Sequence, residues 1–379
     1  MKKVFCFLAL AATASLVLAS CNKENPIPDG YGRLKLSLQA AGVDLKTKGA
    51  NTELTDAEQL ISNYELLVFN DSGELVNRIT ASPNEKQITK LSAFDLPYGT
   101  YSVYALVNSD FAAKSAKTIS EMNQVSLDLA TYNSAKSDLV QVGSKEITLS
   151  STSKTATETI LVNRLVARAT LGKVTNNLPE AYGAITIADM YFVNVAGNQN
   201  FSGTATTSTW YHPYGQKSVP GWSWINSSNC TAPAFTAFSS AKIEHGADKS
   251  FSESNSVYTY ANTSEVDINY SGTETYSTTA TYLFVALTLE NDSQGSGTRR
   301  IVGIKLPGKI NVPKGSPNPV SANCAYTITG LTINNLPPSE KDLTDGGITP
   351  DTLGESKGSF TATIEVNDWT DGGDATYTY

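Results

Sequence analysis

The chain has 379 residues, a formal net charge of −8 and only two histidines. An acidic chain without clustered Lys or Arg is poorly suited to binding nucleic acid, and so few histidines argue against a multi-histidine metal centre. Charged residues make up 17% of the chain, and Ser, Thr, Gly, Asn and Tyr fill much of the rest, a composition typical of extracellular β proteins. The length suits two domains of ordinary size.

The first twenty residues have the features of an export signal. A basic start precedes an apolar run over 4–18, which is too short to span a bilayer comfortably as a helix. Two small residues and a cysteine follow, and they resemble the lipobox of bacterial lipoproteins. The resemblance implies cleavage of the signal peptide 1–20 between Ser20 and Cys21, lipidation of the Cys21 thiol, and a tether over 21–32. The alternative is an ordinary signal peptide in which the cysteine is incidental.

The first predicted strand covers residues 33–38, where leucines alternate with polar residues. A period of two places the leucines on one face of a strand. They are Leu34, Leu36 and Leu38. The polar stretch that follows, 40–52, carries Lys46 and Lys48. Proteolysis there would separate the first strand and expose an apolar groove with unpaired backbone groups.

The middle of the chain is predicted to form short strands separated by turns. Residues 64–69 and 75–79 are typical of a hairpin closed by Asn, Asp, Ser and Gly. Short helical turns are predicted only near 55–61 and 120–129. Further strands are predicted at 101–107, 146–170, 184–195, 281–290, 300–305 and 325–333. This pattern favours an all-β fold with two antiparallel β-sandwich domains of transthyretin-like or Greek-key type, at 33–160 and 161–379.

An aromatic-rich stretch in the second half is a candidate ligand platform. Trp210 and Tyr211 are followed by Trp222 and Trp224, and aromatic faces stack on sugar rings and apolar ligands. The favoured alternative is structural: these side chains plug one end of the second sandwich or seal a subunit contact.

Two cysteines remain after export and lipidation, Cys230 and Cys324. In an oxidising compartment they could form one disulfide, and two buried thiols fit equally well. The sequence leaves both states open.

The last predicted strand has one apolar and one polar face. Its apolar side chains are Phe360, Ala362, Ile364 and Val366, and Trp369 follows shortly after. The strand comes after a connector over 336–357 that is rich in Pro, Asp and Gly. It either closes its own sheet as an edge strand or is donated to another subunit, where such head-to-tail contacts propagate into a fibre.

Several segments together are similar to the fimbrillin family of Bacteroidales, the lipoprotein pilins of the FimA and Mfa type. These segments are the lipobox, the leucine strand before a basic loop, 162–169, 318–326 and 363–369. The resemblance implies a lipid-anchored outer-membrane precursor, a protease that removes the first strand, and a fimbrium in which the C-terminal strand 360–369 of another subunit fills the groove. It also implies that the partners are other copies of the chain, accessory fimbrial subunits, and ligands on host or bacterial surfaces.

The predicted processing segment departs from the family pattern. A protease specific for arginine would find no arginine between Leu38 and Leu60. Either a lysine-tolerant enzyme cleaves at Lys46 or Lys48, or the chain is an anchor or accessory subunit that keeps its first strand. The presence of a donor strand favours a stalk subunit over a tip subunit.

Catalysis is not predicted. Acidic pairs lie in polar loops, where solvated surface is the default, whereas a glycosidase needs two carboxylates about 5–9.5 Å apart in a cleft. No cofactor or metal is implied. The predicted function is that of a structural pilin that polymerises by strand exchange and supports adhesion. The alternative is a fimbrial anchor or tip, or a non-polymerising surface lipoprotein that binds glycan or host protein.

Overall fold

The computed structural model describes residues 25–41, 57–91, 93–133, 136–193, 195–204, 210–211, 239–251, 256–261, 267–270, 274–277, 281–306, 320–340, 359–368 and 374–378. These residues are almost entirely β-structure, so the predicted all-β sandwich class is confirmed. No helix among them is both long and apolar enough to cross a membrane.

The strands of the first half are β1 (Tyr31–Ala40), β2 (Tyr64–Phe69), β3 (Leu75–Ala81), β4 (Gln87–Ile88), β5 (Phe94–Pro97), β6 (Gly99–Val107), β7 (Leu127–Asp128), β8 (Gln141–Leu149) and β9 (Thr155–Arg164). Those of the second half are β10 (Val166–Leu171), β11 (Lys173–Asn176), β12 (Ile185–Val193), β13 (Val195–Ala196), β14 (Asn198–Gln199), β15 (Trp210–Tyr211), β16 (Ala241–Ile243), β17 (Asp248–Ser250), β18 (Ser256–Tyr260), β19 (Asp267–Tyr270), β20 (Glu274–Ser277), β21 (Tyr282–Leu289), β22 (Arg300–Lys305), β23 (Cys324–Ile333), β24 (Phe360–Asp368) and β25 (Asp374–Thr378). The helices are α1 (Ile119–Asn123) and α2 (Leu129–Tyr132), with 3₁₀ turns at Ala57–Gln59, Lys136–Asp138 and Glu180–Tyr182.

The first large sheet has the order β3-β2-β6-β8-β9-β1-β4, and β5 also pairs with β1. Its inner face encloses a core of its own, which includes the leucines of β1. The predicted hairpin between β2 and β3 is confirmed. Its turn forms because the Asn70 side chain accepts hydrogen bonds from the N–H groups of Ser72 and Glu74, and Gly73 adopts a positive φ of 76° that suits glycine.

The second half contains a seven-stranded and a four-stranded sheet. In the larger one, β10 and β11 follow one another along one edge of β23, while β24 pairs with the other edge and β25 pairs with β24. The smaller sheet has the order β16-β12-β21-β22. A second core contains side chains from both of these sheets and from the outer face of β2 and β6. Packing therefore joins the two halves of the chain.

Three parallel pairings distinguish these sheets from the purely antiparallel sandwiches that were predicted. Strand β1 runs parallel to β9, and β10 and β11 run parallel to β23. In each half the first strand thus pairs with one that comes much later in the chain, which requires a long crossover connection. The predicted domain boundary at 160 falls within β9, whose last residue is Arg164.

Candidate functional site: the first and last strands

Strand β1 has hydrogen-bonded neighbours on both edges. Along one edge, its residues 33–40 lie opposite residues 155–162 of β9. Along the other edge, the start of β1 pairs with β5 and its end pairs with β4. Loss of β1 would therefore leave two strand edges with unpaired N–H and C=O groups, which favours the entry of another strand.

The apolar face of β1 is completely enclosed. Leu34, Leu38 and Ala40 have no exposed surface and Leu36 is 3% exposed. Each fully buried leucine contributes roughly 1.5–3 kcal/mol to stability relative to an exposed one. The space that β1 occupies, which we call the slot, is therefore both apolar and two-edged.

Polar side chains of β1 also bind their neighbours. Arg33 donates to both carboxylate oxygens of Asp95 on β5, at 2.7 Å from Nε and 2.9 Å from Nη2. The Arg33 guanidinium holds the pKa of Asp95 below its ordinary value. In the middle of the strand, the hydroxyls of Ser37 and Thr159 lie 2.7 Å apart.

The end of β1 meets a buried cluster of charged and polar groups where the two large sheets join. Arg164, the last residue of β9, donates from Nη1 to the carbonyl oxygen of Ala41 at 3.2 Å and from Nε to that of Glu58 at 2.8 Å. The Glu58 carboxylate pairs with Nη1 of Arg168 at 2.7 Å and accepts from the Tyr258 hydroxyl at 2.6 Å. Arg164 thus contacts the chain on both sides of 42–56, the segment that contains Lys46 and Lys48.

Burial shifts the pKa of the groups in this cluster. Desolvation lowers the pKa of Arg164 to about 10, so its guanidinium stays charged at neutral pH. Desolvation, reinforced by the Glu58 carboxylate, raises the pKa of Tyr258. This cluster was not predicted from the sequence, although one signal was present: Arg164 and Arg168 interrupt an otherwise apolar strand sequence.

Strand β24 closes its own sheet in the single chain. It pairs with β23 from Phe360 opposite Ile333 to Asp368 opposite Cys324, and its outer edge pairs with β25. The four apolar side chains are buried, with Phe360 6% exposed and Ile364 not exposed at all. Of the two arrangements expected for the last strand, the structure shows the one in which the strand closes its own sheet. It differs in one respect, because β25 and not β24 lies at the edge of that sheet. Donation would require β24 to leave both neighbours.

Most of the other predicted site residues are not among those that the structure describes. Ser20, Cys21, Lys46, Lys48, Trp222, Trp224, Cys230 and Trp369 lie outside the described residues. Trp210 and Tyr211 form β15, which pairs with β13, and Cys324 is buried at the start of β23. The lipid anchor, the processing site, the disulfide and the ligand platform therefore stay predictions. Among the described residues no group of three or more His, Cys, Asp or Glu side chains is arranged to hold a metal ion.

Comparison with known proteins gives structural relatives only. No protein-family model and no curated protein sequence matches the chain. A candidate cell adhesion protein from Parabacteroides distasonis is 16% identical with a TM-score of 0.54, covering 92% of this chain and 97% of its own. A fimbrilin from Porphyromonas gingivalis is 13% identical with a TM-score of 0.54, covering 89% and 97%. A candidate cell adhesion protein from Bacteroides eggerthii is 15% identical with a TM-score of 0.50, covering 91% and 98%. The chain therefore has the fold of fimbrilin-type proteins of Bacteroidales, as its sequence motifs predicted.

Proposed function

We propose that this protein is a surface-exposed fimbrial subunit, exported as a lipoprotein, that polymerises when β24 of one copy replaces β1 in the slot of the next. The observation that carries the proposal is the position of β1. It is a two-edged, apolar strand, and Ala41, the residue after it, directly precedes the lysine-containing segment 42–56. The fold shared with a fimbrilin and with candidate adhesion proteins supports a role in fimbriae or adhesion.

The energetics favour exchange only after proteolysis. While the chain is intact, β1 fills the slot within the same molecule and has a large advantage in effective concentration over any other strand. Cleavage within 42–56 removes that advantage. If β1 then dissociates, the open slot exposes apolar surface and two unpaired edges, and an alternating strand such as β24 can cover both.

The proposal is tested by tryptic digestion of purified 22–379 protein, followed by mass spectrometry and by gels of unboiled samples. Cleavage after Lys46 or Lys48 together with a ladder of heat-labile multimers is the expected result. A Lys46→Ala/Lys48→Ala chain is the matched control, because it keeps both strands and should stay monomeric. A ladder from this uncleaved control would contradict the role of proteolysis, and the absence of multimers after complete cleavage would contradict polymerisation.

The pairing of β24 with its own sheet favours a second candidate function, that of a surface lipoprotein, fimbrial anchor or tip that does not polymerise. In that case cleavage would yield monomers only. The aromatic segment around Trp210, Tyr211, Trp222 and Trp224 would then be the first place to search for a glycan or protein ligand by substitution to alanine.

A further inference from the structure

We infer that an incoming β24 docks in a single register, with Phe360 in the place of Leu34 and Asn367 in the place of Ala41, and that Arg164 anchors the end of the docked strand by donating to the carbonyl of Asn367. The inference rests on the proposed strand exchange and adds the residue-by-residue alignment of the two copies. The donor strand is taken to run in the direction of β1, because that direction reproduces the parallel pairing with β9 and the antiparallel pairing with β5 and β4.

The start of the slot favours glycine. A Cβ atom placed on Gly32 would lie 3.0 Å from Cβ of Leu149 and 3.1 Å from the carbonyl oxygen of Lys154, closer than ordinary packing allows. In the inferred register this position is taken by Gly358, two residues before Phe360. The two strands then have glycine at the same point and apolar side chains at the same four points after it.

Registers shifted by two residues fit poorly in either direction. A shift toward the start of the slot places Phe360 at Gly32, where even a Cβ atom is crowded, and Asp368 at Ala40, where a carboxylate would be buried. A shift toward the end places Gly358 at Leu34, which leaves a cavity, and Ile364 at Ala40, where the inferred register places the smaller Val366. A reversed strand would bring Asp368 to Gly32.

In the inferred register, the side-chain volume gained by Phe360 in place of Leu34 offsets the volume lost by Ala362 in place of Leu36.

Arg164 stands at the end of the slot and does not leave with β1. Its Nε bond to Glu58 and the bond from its own N–H to Oδ1 of Asn323, 3.0 Å long, both remain when β1 is absent. The Nη1 bond to Ala41 is the one that β1 takes away. In the inferred register, Asn367 supplies the replacement carbonyl, and its N–H faces the Val162 carbonyl that now accepts from Ala41 at 2.9 Å.

Cysteine pairs test the register in the polymer itself. Thr159 lies opposite Ser37, and Thr363 takes the place of Ser37 in the inferred register. A chain with Thr159→Cys and Thr363→Cys, in a Cys230→Ser background, should form a disulfide ladder that survives boiling without reductant. Chains that combine Thr159→Cys with Thr361→Cys or with Glu365→Cys report the two shifted registers and should lose that ladder. Within one chain Thr363 lies opposite Thr378 and beside Gly330 in the other large sheet, so the link reports docking between copies.

Each outcome of this experiment points to one conclusion. A ladder from the Thr363 pair alone supports the register, and a ladder from either control pair overturns it. If unboiled gels show no multimers for any cleaved chain, the proposed strand exchange fails, whereas multimers that link through a control pair leave strand exchange intact and reject only the alignment.

The role of Arg164 is tested by changing the peptide and not the protein, because an Arg164 variant that misfolds would not be informative. Cleaved wild-type protein is titrated with a synthetic 357–370 peptide, and displacement of β1 is followed by mass. An ester in place of the amide that joins Asn367 to Asp368 weakens the acceptor carbonyl and should raise the peptide concentration needed by roughly threefold to tenfold. An ester between Trp369 and Thr370 lies beyond the slot and should have no effect. Equal displacement by both esters would overturn the role of Arg164.

Discussion

Glu58 and Arg168 form a fully buried ion pair, with 2.7 Å between Oε2 and Nη1 and side-chain exposures of 0% and 1%. Glu58 lies in the 3₁₀ turn that follows the predicted processing segment, and Arg168 lies on β10 of the second large sheet. The pair therefore ties the chain after 42–56 to a sheet that does not contain β1. This contact is expected to persist after cleavage, so that only β1 is released.

Glu58→Ala is expected to lower the free energy of unfolding by about 3–5 kcal/mol, because it leaves the buried Arg168 without the carboxylate that pairs with it. Urea denaturation of the uncleaved chain measures this. The matched control is Glu158→Ala, which breaks the exposed pair with Lys145 and should change the free energy by no more than about 1 kcal/mol. Similar losses from the two variants would argue against the buried pair as a major tie between the sheets.

Retention of β1 is expected to depend on pH through Asp95. Because Arg33 holds the pKa of Asp95 below its ordinary value of 3.8, this pair stabilises the folded state above that pH, and the contribution is lost as pH falls through the lower pKa of the folded state. In cleaved protein, release of the β1 fragment should therefore accelerate below about pH 4.

Asp95→Asn is the control for this pH effect. It should release β1 faster than the wild type at pH 7, and the difference between the two proteins should shrink as pH falls. Size-exclusion chromatography with mass detection follows the fragment. A constant difference between wild type and variant from pH 7 to pH 2 would exclude Asp95 as the titrating group.

Gly143 is expected to tolerate no side chain. A Cβ atom there would lie 2.2 Å from the carbonyl oxygen of Leu161 and 2.9 Å from Cγ2 of Ile160, where β8 and β9 come together. Gly143→Ala should therefore destabilise the chain by about 1–3 kcal/mol or more, measured by thermal unfolding. Gly330→Ala is the matched change, because no atom lies within 4 Å of its added Cβ, and it should stay within about 0.5 kcal/mol of wild type. The reverse ranking would contradict the close approach of the two strands.

Ile364→Asp is expected to abolish multimers and to lower monomer stability by several kcal/mol, because Ile364 is fully buried opposite Ile328 and a carboxylate there loses its hydration. Thr361→Asp, on the exposed face of the same strand, should preserve both properties. Unboiled gels and urea denaturation read out the two effects. Normal assembly of the Ile364 variant would show that β24 does not dock through its apolar face.

Local patterns accounted for much of the fold and for both strands of the candidate site. Alternation over two residues revealed the buried faces of β1 and β24, and Asn and Gly residues revealed the β2–β3 turn, because side-chain direction and turn geometry depend on neighbouring residues. The lipobox motif and the lysines of 42–56 are likewise local features, and the roles predicted from them await experiment.

What the sequence determined by itself is thus the all-β class, the faces of its strands and its resemblance to fimbrillins. Only the tertiary structure decided that β1 runs parallel to β9, that β24 closes its own sheet, and that Glu58 pairs with Arg168. These contacts join residues far apart in the chain, 110 positions in the case of Glu58 and Arg168. Their geometry depends on how whole sheets pack. The alternating pattern of a strand does not by itself determine which slot the strand occupies, because any two-edged apolar slot of suitable length fits that pattern equally well.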